Sequence, residues 1–227
     1  MVLTVHHLGH SRSERVVWLC EELGLDYELK KYDRSPLLSP PQYLALHPIG
    51  AAPIVTDGDI VIAESGACVE YIINIYGKGK LSIPPSAGQQ YADYLYWMHS
   101  AEGTMMAATS RSMSLKMAGL TEESNIVHRY NNKLNQIFEF TDRVLGEHEW
   151  LVGDEFTAAD VMVVFTFTTM RQFFPMDFGK YKNILAYLQR VAKREAYQKA
   201  MQKGDPDIDV QSQLGAESPP LFSALRR

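Results

Sequence analysis

The sequence predicts a small α/β domain followed by an all-α domain, and three observations predict it. Over residues 1–80, short β-branched runs alternate with helical stripes. A stretch of Gly, Lys, Pro and Ser between Gly77 and Gly88, including Pro84-Pro85-Ser86, then breaks the pattern. Beyond it the apolar residues recur at helical spacing. These shifts divide the 227-residue chain into an α/β unit at 1–80, a linker at 81–88, a helical unit at 89–203 and a tail at 204–227.

In the first unit, Leu3-Thr4-Val5-His6 reads as a strand. Val16, Val17, Leu19, Cys20 and Leu23 give a helical stripe that stops at Gly24, the residue favoured just past a helix because it takes positive φ freely. Tyr27 to Tyr32 reads as a second strand, and Ser35 to Pro41 as a Pro-rich loop. Ile54-Val55-Thr56 and Ile60-Val61-Ile62 flank Asp57-Gly58-Asp59 and predict a tight hairpin. Cys68, Ile72, Ile75 and Tyr76 then mark a helix ending at Gly77. The order β-α-β, loop, β-β-α predicts one small sheet with helices on its faces.

In the second unit, Tyr91, Leu95, Met98, Glu102 and Met105 fall on one face of a long helix. Val127, Tyr130, Leu134, Ile137, Thr141 and Val144 mark another, with Thr121 as its N-cap and Glu122-Glu123 at its positive end. Val161 to Phe165 has strand propensity, but Thr157-x-x-Asp160 ahead of it is a capping-box pattern and predicts a buried helix. Further helices are expected from Ile184 to Ala192 and up to Lys203. The tail from Gly204 is rich in Asp, Pro, Ser and Gln, so it is expected to be extended or partly disordered.

A net charge of -5 with no Lys/Arg run argues against a nucleic-acid binder. Cys20 and Cys68 form neither a C-x-x-C nor a metal-ligand pattern, so no metal and a reducing compartment are expected. Met1 runs into Leu3-Thr4-Val5 without a basic-then-apolar leader, and Val161 to Met170 is too short to span a bilayer. A soluble cytoplasmic protein is the expectation.

Three helix or strand starts carry candidate chemistry. Ser11-Arg12-Ser13-Glu14 opens the first helix, and on spacing alone Ser-x-x-Glu favours a capping box. The same helix start offers a hydroxyl, backbone amides and the dipole to an anion such as a thiolate. Ionising a thiol of pKa ~8.5 at neutral pH needs a shift of about two units, roughly 2.7 kcal/mol. A hydrogen bond to a charged acceptor contributes about 1.5–3 kcal/mol and a helix N-terminus about 0.3–1 more, so one hydroxyl just suffices. Ala51-Ala52-Pro53-Ile54 sets a proline before a strand; a cis bond there turns the Ala52 backbone toward a peptide-like ligand. Glu64-Ser65 begins the helix after the hairpin, where amides and a hydroxyl suit a carboxylate.

Ser11-Arg12-Ser13-Glu14-Arg15, His47-Pro48-x-Gly50-x-x-Pro53 and Ala63-Glu64-Ser65-Gly66 together resemble the glutathione-site motifs of the cytosolic glutathione transferases. The similarity is strongest to the yeast- and bacterial-type branch, and Gly153-Asp154-x-x-Thr157-x-Ala159-Asp160 resembles that family's capping motif. The resemblance runs from about residue 3 to about residue 200. It implies a thioredoxin-like N-terminal domain, an all-α C-terminal domain and glutathione as co-substrate without a metal. It also implies a homodimer acting in detoxification on a small hydrophobic electrophile or a peroxide.

Residue by residue, the resemblance makes Ser11 the group that holds the sulfur, with Ser13 its rival. Pro53 is then the cis-proline, with Ala52 pairing to the cysteinyl unit, while Glu64 and Ser65 hold the γ-glutamyl group. Ala51 stands where many relatives carry Lys, Arg or Gln for the glycine carboxylate; His47 or Arg12 is the substitute. Glu102 interrupts an apolar stripe and is either a rim charge or a carboxylate meeting the glutathione amine across a dimer interface. Met105, Met106, Thr109 and Met113 are candidates for the second-substrate pocket, against core packing as the alternative. Ala51 also motivates a second reading, a non-catalytic scaffold or regulatory protein of the same fold.

Overall fold

The computed structural model describes residues 2–226. The α/β unit contains β1 (Leu3–Leu8), α1 (Glu14–Leu23), β2 (Glu28–Tyr32), α2 (Pro41–Leu44), β3 (Ile54–Asp57), β4 (Ile60–Ala63) and α3 (Ser65–Ile75). The strands lie in the order β2-β1-β3-β4, with β1 parallel to β2 and antiparallel to β3. β3 and β4 form the expected hairpin around Gly58, whose φ of 59° suits glycine. α1 ends on Gly24 at φ 62°, as its sequence predicts. The short α2 lies just beyond the predicted Pro-rich loop, with Pro41 at its start, where a missing N–H costs nothing.

The helical unit begins with α4 (Gln89–Ser100), which passes through a π-helical segment (Ala101–Met106) into α5 (Ala107–Met117). The single long helix predicted through Met105 is thus interrupted at Glu102, the polar residue in its stripe. α6 (Asn125–Glu147) starts at Ser124 rather than Thr121, which lies in the preceding turn and accepts from the Ser124 amide at 3.1 Å. α7 (Ala158–Phe167) is buried along its whole length. It opens on Asp160, which accepts from the Thr157 amide at 2.9 Å and overrides the strand propensity of its valines. α8 (Lys182–Ala192) and α9 (Glu195–Gly204) complete the helices expected from the pattern.

The tail corrects the sequence reading. It contains α10 (Val210–Gln213), buries Asp205, Gln213 and Leu214, and is fastened to the helical unit by Arg171. Its packing rests on polar anchors, which hydrophobic periodicity does not detect.

The two units share one interior. Trp18 of α1 lies between Phe156 and Tyr197 of the helical unit, at centroid distances of 5.4 and 4.9 Å. Arg194 of α9 meets Glu22 of α1 through two hydrogen bonds of 2.6 and 2.7 Å. These contacts fix α1, and with it the Ser11 turn, against the helical unit. Among the described residues, no helix is long and apolar enough to cross a membrane.

Candidate active site

The turn before α1 is tight. The Glu14 and Arg15 amides donate to the carbonyls of Ser11 and Arg12 at 3.0 and 3.3 Å, and the Ser13 amide donates to Ser11 Oγ at 3.2 Å. Ser13, not Ser11, immediately precedes the helix. Glu14 closes no capping box with Ser11: its carboxyl is buried against Thr169 of the helical unit. Desolvation pushes that carboxyl up to about 8, against the hydrogen bond from Thr169. The Ser13, Glu14 and Arg15 amides are therefore used inside the turn, while the hydroxyl and the helix dipole remain to meet an anion.

The two serines face different surroundings. Ser13 is fully buried; its Oγ accepts from the Leu8 amide at 3.1 Å and lies 2.9 Å from His7 Nδ1. Ser11 Oγ lies 2.8 Å from Ser13 Oγ and lines a cavity of about 510 Å³ between the two units. Ala52 lines the same cavity, and the Ala52-Pro53 bond is cis. Opposite them stand Met106 and Met113 around the π segment and α5, and Phe165 of α7. Of the four residues expected in a second pocket, only these two methionines reach the cavity. Met105 is in the core, and Thr109 is buried with its hydroxyl on the Met105 carbonyl at 2.9 Å.

Glu102 is partly exposed and paired with two arginines. Its carboxylate joins Arg12 Nη1 at 2.6 Å and the fully buried Arg15. Burial alone would raise its carboxyl, but Arg15 and Arg12 outweigh that and hold it below the usual range. Arg15 also donates to Ser65 Oγ at 3.1 Å, so Ser65 is tied to the network beneath the cavity. Glu64 precedes α3 at φ 77°, a left-handed conformation that non-glycine residues rarely adopt. Neither residue, nor His47, lines the cavity; His47 Nδ1 accepts from the Ile49 amide at 3.3 Å. Arg12 does line it, and beyond Nη1 its nitrogens make no hydrogen bond among the described residues.

Sequence reasoning missed His7, Arg34, Met117, Leu225 and Asp205. Arg34, Met117 and Leu225 reach the cavity from the loop after β2, the end of α5 and the tail. His7 Nε2 lies 3.1 Å from Asp205 Oδ2, linking β1 to the start of the tail. The available signal was a histidine at a position of β1 that buries its whole length. His10, Asp205 and Asp207 bring one ligand atom each within 4.8 Å of one another. Their approach is accounted for by contacts among themselves and Gln172: His10 meets Asp207 at 3.0 Å and Gln172 at 2.8 Å, and its amide donates to Asp205. We assign no metal there.

A small mixed sheet with a serine at the first helix start, a cis-proline before its third strand and an all-α unit across the cavity matches the glutathione transferase fold. The chain matches the family "Glutathione S-transferase, N-terminal domain" over residues 1–74 and "Glutathione S-transferase, C-terminal domain" over residues 98–195. It is 32% identical over 218 residues to glutathione S-transferase 3 of Schizosaccharomyces pombe, covering 89% of this chain and 88% of that protein. A glutathione S-transferase structure from Actinobacillus pleuropneumoniae superposes with TM-score 0.83 at 31% identity, covering 92% of this chain and 96% of that one. A glutathione transferase from Phanerochaete chrysosporium, solved with oxidized glutathione, superposes with TM-score 0.72 at 25% identity, covering 90% and 95%. The protein belongs to the cytosolic glutathione transferase superfamily.

Proposed function

We propose that this chain is a glutathione transferase of the serine type, in which Ser11 donates a hydrogen bond to the glutathione thiolate. The observation that carries the reading is the position of Ser11. Ser11 is the serine of the helix-start turn that lines the cavity, together with Ala52 of the cis Ala52-Pro53 bond, whereas Ser13 is sealed beneath it. The thiolate then attacks a small electrophile, or a peroxide, held against the apolar wall formed by Met106, Met113 and Phe165. With alanine at position 51, the uncommitted nitrogens of Arg12 are the proposed partner of the glycine carboxylate. The Ser65 hydroxyl, which accepts from Arg15, would donate to the γ-glutamyl carboxylate. A cytoplasmic homodimer acting in detoxification completes the proposal.

The test is the ionisation of bound glutathione. In the wild type, the ultraviolet thiolate band of enzyme-bound glutathione should titrate below the ordinary thiol range. Removing one hydrogen bond to the charged sulfur in Ser11→Ala should lower kcat/KM with an activated aryl halide by about 10- to 100-fold near neutral pH. An unchanged titration in Ser11→Ala would remove Ser11 from the mechanism. Calorimetry decides the alternative, since a wild-type chain that binds no glutathione would be a scaffold of the same fold.

A further inference from the structure

Behind Ser11 runs a line of buried polar groups that the proposed reaction has not used. Ser11 Oγ, Ser13 Oγ and His7 Nδ1 are joined at 2.8 and 2.9 Å, and His7 Nε2 stands 3.1 Å from Asp205 Oδ2. All four side chains are buried. The Nε2–Oδ2 approach is too oblique for a hydrogen bond, and neither atom has a hydrogen-bond partner among the described residues. It is a close electrostatic contact. The ring is also fixed in place by Gly204 at the end of α9, where an added Cβ would stand 3.1 Å from Nε2.

Counting protons sets the direction of this line. Burial alone would raise the Asp205 carboxyl, but the His7 imidazole and the His10 amide and ring hold it below the usual carboxylate range. A buried carboxylate disfavours a lone pair at 3.1 Å, so Nε2 carries the first proton of the ring. In neutral His7, Nδ1 is then an acceptor. Ser13 donates to it, and Ser11, which already accepts from the Ser13 amide, donates to Ser13. The Ser11 proton points inward, away from the cavity. When Nδ1 gains a proton the line reverses. Nδ1–H donates to Ser13, Ser13 turns to the Leu8 carbonyl at 3.2 Å, and the Ser11 hydroxyl is released toward the cavity.

We propose that His7, backed by Asp205, receives the thiol proton through Ser13 and Ser11; the proposal rests on the reading of Ser11 given above. The S–H bond of bound glutathione breaks, and its proton passes to Ser11 Oγ. The proton already on Ser11 passes to Ser13, and that of Ser13 to His7 Nδ1. The sulfur keeps the bonding pair as a thiolate, and Ser11 now donates to it. One relay therefore both removes the proton and orients the hydroxyl that stabilises the product anion. His7 and Asp205 touch no substrate atom and are positioning residues. After turnover the Nδ1 proton returns through Ser13 and Ser11 to the cavity, which restores the starting tautomer. On its other side His7 lines a second cavity of about 600 Å³ together with His10, Lys31, Asp33, Arg34, Asp205 and Asp207. These are the charged groups facing the ring from β2, its following loop and the tail; from α1, Glu14 couples to Asp205.

The test compares His7→Asn, Asp205→Asn and Ser11→Ala with the wild type, using glutathione itself as the probe. Asn at position 7 keeps an acceptor for Ser13 but cannot take up the relayed proton. It should raise the apparent pKa of bound glutathione by about one or more while calorimetric affinity for glutathione stays within about threefold. The loss in kcat/KM should be about tenfold near neutral pH and should shrink toward pH ~8.5, where the thiol ionises unaided. A purely structural role would lower the rate equally at every pH. Asp205→Asn should raise the thiol pKa in the same direction and carries the test if His7→Asn does not fold. A wild-type titration in whichever of the two folds overturns the relay. If Ser11→Ala also titrates as the wild type, or the wild type binds no glutathione, the reading of Ser11 fails with it. A rise in Ser11→Ala alone overturns only the relay.

Discussion

Glu14 shows at a single residue what joining two units costs. The chain places a carboxyl on the inner face of α1, where it is completely buried against Thr169. Its pKa is pushed up to about 8, against an unfolded value near ~4.3. Over that window the native state holds a proton that the unfolded state has released. Stability contributed by this group is therefore complete below about pH 4.3 and is lost as pH rises toward 8, by at most about 1.4 kcal/mol per pH unit. Asp205 has the opposite sign: its depressed carboxyl adds stability only above the ordinary Asp range, and that contribution is already in place at neutral pH. Asp160, raised to about 6, is largely ionised above that pH and adds little further slope. Urea denaturation of Glu14→Gln between about pH 6.5 and 8 isolates the Glu14 contribution. The variant should lose most of the wild-type decline in stability while keeping a hydrogen-bond partner for Thr169. An identical decline in both proteins would mean that Glu14 does not titrate in this range.

At the level of elements, Asp160 organises the helical unit as Glu102 organises the cavity floor. Its two oxygens accept from the Leu151 amide at 3.1 Å, the Thr157 amide at 2.9 Å and the Tyr187 hydroxyl at 3.1 Å. One side chain thus caps α7, holds the loop before it and ties α8 to both. Asp160→Asn replaces one acceptor oxygen by a donor and leaves at least one buried N–H or O–H without a partner. The expected cost is about 2–4 kcal/mol, from the lost cap and the unsatisfied group together, read as a lower urea midpoint with an unchanged m-value. A cost under about 0.5 kcal/mol would mean that the cap is redundant. This element was legible in the sequence because its signal is local: Thr157 and Asp160 are three residues apart. The hairpin at Gly58 was legible for the same reason, its β-branched flanks standing on either side of Asp-Gly. The break at Glu102 and the assignment of Met105 and Thr109 to the core were not, because they depend on Arg12, Arg15 and α7, which packing alone brings near. Ser11 could be named as the candidate from its motif, but its separation from Ser13 required knowing which hydroxyl reaches the cavity. The partner of His7 lies at position 205, and no local pattern links the two.

Over the whole molecule, the tail is what sequence reasoning misjudged most, and its anchor explains why. Arg171 is fully buried and donates to the carbonyls of Met176, Gln213, Gly215 and Ala216 at 2.8–3.1 Å, over the face of Phe178. Desolvation lowers its pKa to about 10, so it stays charged at neutral pH. From this clamp the chain returns to the cavity, where the Phe222 amide donates to the Gln172 carbonyl at 2.9 Å and Leu225 joins the cavity wall. Polar composition suggested disorder, yet one guanidinium ties three backbone carbonyls of the tail to the Met176 carbonyl of the helical unit. Arg171→Met keeps the apolar stem but leaves the Gln213 and Gly215 carbonyls unpaired, while Ala216 keeps the Phe178 amide and Met176 the Ser218 hydroxyl. It should cost about 3–5 kcal/mol and make the segment 206–222 cleave faster in limited proteolysis. Lysine should not rescue it, since a single ammonium with three donors cannot meet four carbonyls spread along the fork of a guanidinium. Wild-type proteolysis in Arg171→Met would place the tail's stability elsewhere, in Phe222 and Leu214. Rescue by lysine would show that charge rather than the forked geometry holds the tail.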